Sequence, residues 1–406
     1  MRRLYFSVLV ASLFAGSAHA DFTVPGFELV HTSPVETTLA NPDLREPVQV
    51  WSELFDGAKS EIVIAQFYAV SKPGTAFEKV LASLTAAGQR GVKIRFLLDQ
   101  KGVGLSEAST VAQIKAIPNL ELRIIDFNKV TGNGIVHAKY LAVDGKVAYV
   151  GSQNFDWRSF EHIHETGLKI TEPAMVGQIH AIFEQDWRAQ AQTARGEHAT
   201  VLNAASVPAN IAPNTFLLAS PYAYNPAGVG DSQNGLPALL AEAKSEVRIQ
   251  LLDYAPLSYG PNRTRPYYAV IDNAVRAAAT RGVKIKLMVS NWNTEAPAIA
   301  YLKSLALVPN VEIRIVTLPV ASTGFIPFAR VIHSKTMTID GKLAWVGTSN
   351  WAGGYLDLSR NLEVVLRSEQ MAQRIAALHE QTWSSAYAQP IDINKLYPKP
   401  AKGTPE

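Results

Sequence analysis

Two short stretches of the chain place the same reactive side chains at the same spacing. His137-x-Lys139 is followed by Asp144 and then by Gly151-Ser152-x-Asn154. His333-x-Lys335 is followed by Asp340 and then by Gly347-Thr348-x-Asn350, every position 196 residues later. Average residue frequencies make one such match by chance roughly a 10⁻⁵ event over this length. The two sets supply imidazoles, ammonium groups, carboxamides and hydroxyls. That is chemistry for a phosphodiester. Lysine is a compact cation for non-bridging phosphoryl oxygens, and Asn, Ser and Thr donate hydrogen bonds to the same oxygens as charge builds up. One histidine can attack phosphorus and form a covalent intermediate. A second can protonate the leaving oxygen and then activate water. Each set holds one such imidazole, so the two must close over one phosphorus atom.

The elements that would position these groups are readable around them. His137 and Lys139 are two apart on an extended segment, which turns both side chains to one face, as with His333 and Lys335. Asp144-Gly145 and Asp340-Gly341 are D-G pairs between apolar runs, a strong hairpin signal. The returning strands 146–150 and 342–346 bring Ser152, Asn154, Thr348 and Asn350 back beside the histidines. Asp144 and Asp340 sit at turns that want Asp for backbone reasons alone, so a structural role is the first expectation for both. Glu165 and Glu363, 11 and 13 residues past Asn154 and Asn350, are the carboxylates expected to orient the two imidazoles and stabilise their charged forms.

The rest of the chain repeats as well. Ala58-Lys59-Ser60-Glu61 returns as Ala243-Lys244-Ser245-Glu246. Arg90-Gly91-Val92-Lys93-Ile94 returns as Arg281-Gly282-Val283-Lys284-Ile285, and Pro118-Asn119-Leu120-Glu121 is echoed by Pro309-Asn310-Val311-Glu312. Two copies of a long unit are a duplicated domain rather than a solenoid. Strands over 61–69, 93–98 and 121–125 alternate with helices over 76–89 and 175–189. The second half repeats them with strands 246–252, 284–289 and 312–316 and helices 266–280 and 369–386. The expected fold is two α/β sandwiches, with largely parallel strands made mixed by the hairpins, facing each other about a pseudo-twofold axis.

Composition bounds the remainder. Of 406 residues 47% are hydrophobic and 18% charged, with no cysteine. Disorder and coiled coil are out, as are cysteine nucleophiles, thiolate metal sites and disulfides. The formal charge of +3, from 38 bases and 35 acids, neither favours nor excludes a nucleic-acid partner. Residues 1–20 read as a secretory signal: Arg2-Arg3, an apolar stretch over 4–16, and Ala18-His19-Ala20 as a cleavage site. The expected layout is that signal, cleaved after Ala20 to release a periplasmic or secreted protein, then domains over 21–195 and 237–389. Segment 196–236 reads as a linker and surface loop, and 390–406 as a frayed tail. His162-x-His164 lacks the further ligands of a metal site and reads as packing. Tyr68, Trp157, Trp292, Trp351 and Tyr254 are candidates for stacking bases, with packing the commoner fate of each. The apolar loop 319–328 is either buried or a contact for acyl chains.

These motifs resemble the paired HKD motifs of the phospholipase D superfamily. The likeness is greatest to the lysosomal phospholipase D-like five-prime exonucleases of animals. It is carried also by Ile64-Ala65-Gln66-Phe67-Tyr68, Gly151 to Ser159, Ile326 to His333 and Gly347-Thr348-Ser349-Asn350-Trp351. The resemblance implies a phosphohistidine intermediate, no metal or other cofactor, and phosphodiester substrates in single-stranded nucleic acid or phospholipid. It also implies His137 as nucleophile and His333 as general acid, by analogy with two-motif members. One chain then suffices for one active site, without an obligate protein partner. Three differences from the animal enzymes stand out: there is no cysteine, residues 1–20 read as a cleavable signal rather than as their membrane anchor, and Glu363 stands where they have a non-acidic residue.

Overall fold

A computed structural model describes residues 21–259 and 264–403. The expected signal segment, 1–20, lies outside the described residues. Each half is built around a strand too apolar to face water. Glu61–Gln66 is buried from Ile62 onward, and Glu246–Leu251 buries Val247 and Ile249 completely. Lys93–Asp99 and Leu120–Ile125 lie parallel to the first of these, and Lys284–Ser290 and Val311–Val316 parallel to the second. Helices Phe77–Gln89, Ala108–Lys115, Val270–Thr280 and Ala298–Ala306 provide the crossovers, as parallel pairing requires.

Parallel pairing is almost confined to that flank. Tyr140–Val143 and Val147–Gly151 form an antiparallel hairpin beside Glu61–Gln66, followed by Glu165–Ile170 and Phe27–Thr32. The second sheet repeats the order with Thr336–Ile339, Leu343–Gly347, Asn361–Leu366 and Thr215–Ser220. The result is an 8-stranded and a 9-stranded mixed sheet. They are less parallel than the strand–helix alternation implied, because the hairpin strands join without crossover helices.

Two further expectations are corrected. Segment 196–236 is more than a linker and loop. Thr215–Ser220 is a full strand of the second sheet, and Ser232–Glu242 packs as a helix on its outer face. The tail is not frayed at its start, since Ala388–Pro390 extends the second sheet beside Val311–Val316.

Three large apolar cores follow among the described residues. One lies outside each sheet. The third lies between the sheets and is shared by both halves: Ile179 and Phe183 of helix Pro173–Ala194 join Met371 and Ile375 of helix Glu369–Trp383 in one cluster. The two sheets therefore share one packed interior, which fixes the motifs opposite each other. Among the described residues, no helix is long and apolar enough to cross a membrane.

Candidate active site

The aspartates of the two motifs fasten the hairpins. Asp144 and Asp340 both have φ of 53°, left-handed, which a short side chain able to bond its own surroundings tolerates best. Asp144 accepts from the backbone N–H groups of Lys59, Ser60 and Glu61 at 2.8–2.9 Å and from the Ser60 hydroxyl at 2.7 Å. Asp340 repeats this with Lys244, Ser245 and Glu246. The repeated Ala-Lys-Ser-Glu stretches are thus the docking partners of the repeated aspartates, at the end of each hairpin away from the histidines.

At the other end, the halves hold each other. The N–H groups of His137 and Ala138 donate to the carbonyl of Arg360, and those of His333 and Ser334 to the carbonyl of His164. Arg360 is fully buried and ion-paired to Asp186 at 2.9 Å. His164 bonds Ser334 Oγ and Gln250 at 3.0 Å. His164 is therefore a structural contact between the halves. Among the described residues, no cluster of three or more His, Asp or Glu could hold a metal ion.

The supporting residues cross between halves too. His333 Nδ1 lies 2.8 Å from Glu165 Oε2. Glu165 is completely buried, and burial pushes its carboxyl up to about 8. Burial and the Lys335 and Lys139 ammonium groups push His333 down. At 2.8 Å the two groups are close enough for their titrations to be coupled. His137 differs. Its Nδ1 donates to Asn361 Oδ1 at 3.0 Å. The amide is oriented on both sides: Asn361 Nδ2 donates to Tyr355 O, and Thr348 Oγ1 donates to Asn361 Oδ1 at 2.8 Å. An oxygen so placed is an acceptor, so His137 carries its proton on Nδ1 and presents a lone pair on Nε2. Burial, reinforced by Lys139 and Lys335, holds this imidazole well below its ordinary range.

Glu363 is therefore not the carboxylate beside His137. It lies two residues further along the strand and accepts from Ser349 Oγ at 2.5 Å, and burial pushes it up to about 7. The position equivalent to Glu165 at the constant spacing of 196 is Asn361. That spacing was the signal that could have found it. The roles of Ser152 and Thr348 change likewise. Their hydroxyls accept the backbone N–H groups of Thr166 and Leu362 at 3.0 Å, which locks the strands carrying Glu165 and Asn361.

Lys139 and Lys335 are wholly buried. Each Nζ donates to the carbonyl of the histidine two residues before it, which is what the H-x-K spacing achieves. Burial lowers Lys139, and lowers Lys335 to about 7. Desolvated ammonium groups that, among the described residues, hydrogen-bond only a carbonyl oxygen are poorly compensated, and a phosphoryl anion would compensate them. His137, His333, Asn154 and Asn350 open together on one cavity of about 540 Å³. Phe67, Tyr68, Trp157, Trp292, Phe328 and Tyr355 also line it. Tyr68, Trp157 and Trp292 thus line the cavity, where packing was the commoner expectation for each. Tyr254 and Trp351 belong to the outer core instead. The apolar loop contributes Ile326, Pro327 and Phe328 to the wall.

Known proteins share this organisation. The model described as "Cardiolipin synthase, PLD-like domain" matches residues 52–187 and 236–383, one match per half. Phospholipase D Z of Dictyostelium discoideum is 30% identical, over 84% of this chain and 85% of its own. The 5'-3' exonuclease PLD4 of Mus musculus is 28% identical, over 90% and 79%. Phosphatidylserine synthase of Haemophilus influenzae superposes with a TM-score of 0.59 at 13% identity over 85% of each chain, a likeness of fold. With one family match on each motif-bearing half and two imidazoles on a shared cavity, the chain belongs to the phospholipase D-like family of phosphodiester hydrolases.

Proposed function

We propose that this protein is a metal-independent phosphodiesterase that works through a phosphohistidine and acts on single-stranded nucleic acid. The observation that carries the reading is the pair of unequal imidazoles on one cavity. His137, neutral and with Nε2 free, forms the N–P bond as the bond from phosphorus to the leaving oxygen breaks. His333 gives its Nε2 proton to that oxygen, with Glu165 stabilising the imidazolium beforehand. Water then loses a proton to His333, attacks phosphorus and displaces His137. The products are a phosphate monoester and an alcohol. Lys139 and Lys335 offset the phosphoryl charge, and Asn154 and Asn350 donate hydrogen bonds to its oxygens, in both steps.

The aromatic lining supports nucleic acid, because stacking contributes about 1–3 kcal/mol per base without demanding a sequence. The exonuclease among the relatives supports it too. The apolar residues of the same wall, Val70, Leu105, Ile163 and Val331, favour a second reading as a phospholipase D that hydrolyses or exchanges lipid head groups. A panel of single-stranded oligonucleotide, phosphatidylcholine, phosphatidylglycerol and a chromogenic diester, with His137→Ala as control, separates the two. Release of nucleotides without transfer of phosphatidyl groups to added alcohol is expected. Acid-quenched enzyme should carry an acid-labile phosphate on His137, and chelators should leave the rate unchanged. Inhibition by EDTA that zinc or magnesium reverses would refute the metal-free mechanism.

The shared interior supports the reading that one chain suffices for one site. Export with cleavage after Ala20 is part of the same proposal. Mature protein beginning at Asp21 is the expected result of N-terminal sequencing.

A further inference from the structure

The wall of the cavity beside His333 is held from outside by the C-terminal tail. Beyond strand Ala388–Pro390, Ile391 donates its N–H to Ile313 O at 2.9 Å, and Ile391 and Tyr397 pack on the outer core of the second half. Lys303 Nζ then donates to Lys395 O at 2.6 Å, and Thr294 Oγ1 to Pro398 O at 2.9 Å. Lys402 pairs with Glu295 at 2.8 Å. The Phe328 N–H donates to Lys402 O at 2.7 Å. Gly403 lies so close that a Cβ there would stand 2.6 Å from the Phe328 ring.

Phe328 and Trp292 meet edge to face at 6.3 Å, and both line the catalytic cavity. Phe328 has φ of 57°, a conformation that a non-glycine residue keeps only when its surroundings impose it. The tail bond is such a constraint. Lys402 also borders a side chamber of about 130 Å³, whose walls Asp253, Trp292 and Tyr355 are walls of the catalytic cavity as well. The ion pairs of the tail are partly exposed and contribute little. Its attachment therefore rests on a few hydrogen bonds to its carbonyls, on Tyr397 and on the Lys402 ammonium 5.7 Å from the Trp292 ring, the kind of segment that opens locally before the core does.

We propose that residues 395–403 form a strap that fixes the Trp292–Phe328 wall and so helps select which substrates fit against the histidines. The proposal rests on the catalytic reading of the cavity. Its test is a chain ending at Asn394, compared with the full chain by amide hydrogen exchange and by kinetics on a chromogenic diester and a single-stranded oligonucleotide. Removal of the strap should speed exchange over 326–330 by about tenfold or more. It should raise the oligonucleotide KM about fivefold, with kcat on the small diester within about twofold. Unchanged exchange, or an equal loss on both substrates, would overturn it. If the full chain cleaves no phosphodiester, the catalytic reading fails, while exchange still decides whether the strap holds the wall. Should the shortened chain not fold, Gly403→Val must displace the Phe328 ring and raise the oligonucleotide KM about fivefold; an unaltered KM counts against the strap.

Discussion

The two histidines occupy equivalent places in the two halves, yet their partners differ in charge. His333 faces Glu165 across the domain boundary and His137 faces Asn361. A carboxylate favours imidazolium and so suits the group that must start the cycle with a proton. An amide oxygen fixes the tautomer without adding charge and suits the group that must start with a lone pair. The two imidazoles are equivalent in sequence, and under the proposed mechanism the carboxylate at one and the amide at the other divide acid from nucleophile.

Substitutions at the two histidines and their partners separate the roles. Removing either imidazole, His137→Ala or His333→Ala, should lower kcat by about 10³ or more, since each step needs one of them. Glu165→Gln should lower kcat by about 10² at neutral pH. In the unaltered enzyme kcat/KM should fall as pH rises through 7 to 8, where Lys335 and then the His333–Glu165 pair lose their protons. In the Glu165→Gln variant the imidazolium loses its stabilising charge, so this alkaline limb moves to lower pH. An unmoved limb would remove Glu165 from the proton inventory. Asn361→Asp makes the two sites alike. The new carboxylate raises His137, so the acid limb should move to higher pH and the rate at pH 6 should drop about tenfold. If the rate rose instead, the assignment of nucleophile and acid would be reversed.

Smaller effects test what lies outside the pair. Asp144→Ala should destabilise the fold by about 1–2 kcal/mol, seen as a lower urea midpoint, while kcat stays within about twofold. Partial burial opposes the shift, but hydrogen bonds from Glu61, Ser60 and Lys59 hold this carboxyl down to about 2. Its stabilisation is present above about pH 4 and is lost as pH falls towards 2. The variant should lack that portion of the acid limb of stability. Glu363→Gln should change kcat by less than about threefold, against the large loss at Glu165, because Glu363 touches Ser349 rather than an imidazole.

Much of the architecture is legible in the sequence because apolar strands, D-G turns and glycine stops act locally. The hairpins behind His137 and His333, the duplicated units and the facing motifs all follow from spacing. What escapes such reading is pairing between distant segments. Thr215–Ser220 reads as connector because its partner, Asn361–Leu366, lies far along the chain. Segment 390–406 reads as frayed because contacts such as that of Lys402 with Phe328 form only after folding. Asn361 escapes because an orienting carboxylate is sought where the duplication has put an amide.

By itself the order of residues determined that two H-x-K units exist, that each rides a hairpin fastened by an aspartate, and that no thiol takes part. These follow from periodicity, turn chemistry and composition, which need no distant neighbour. Only the tertiary structure decided which partner each histidine received and which aromatic rings reach the cavity. Those contacts cross between the halves, and they arise where two separately encoded sheets pack over one shared interior.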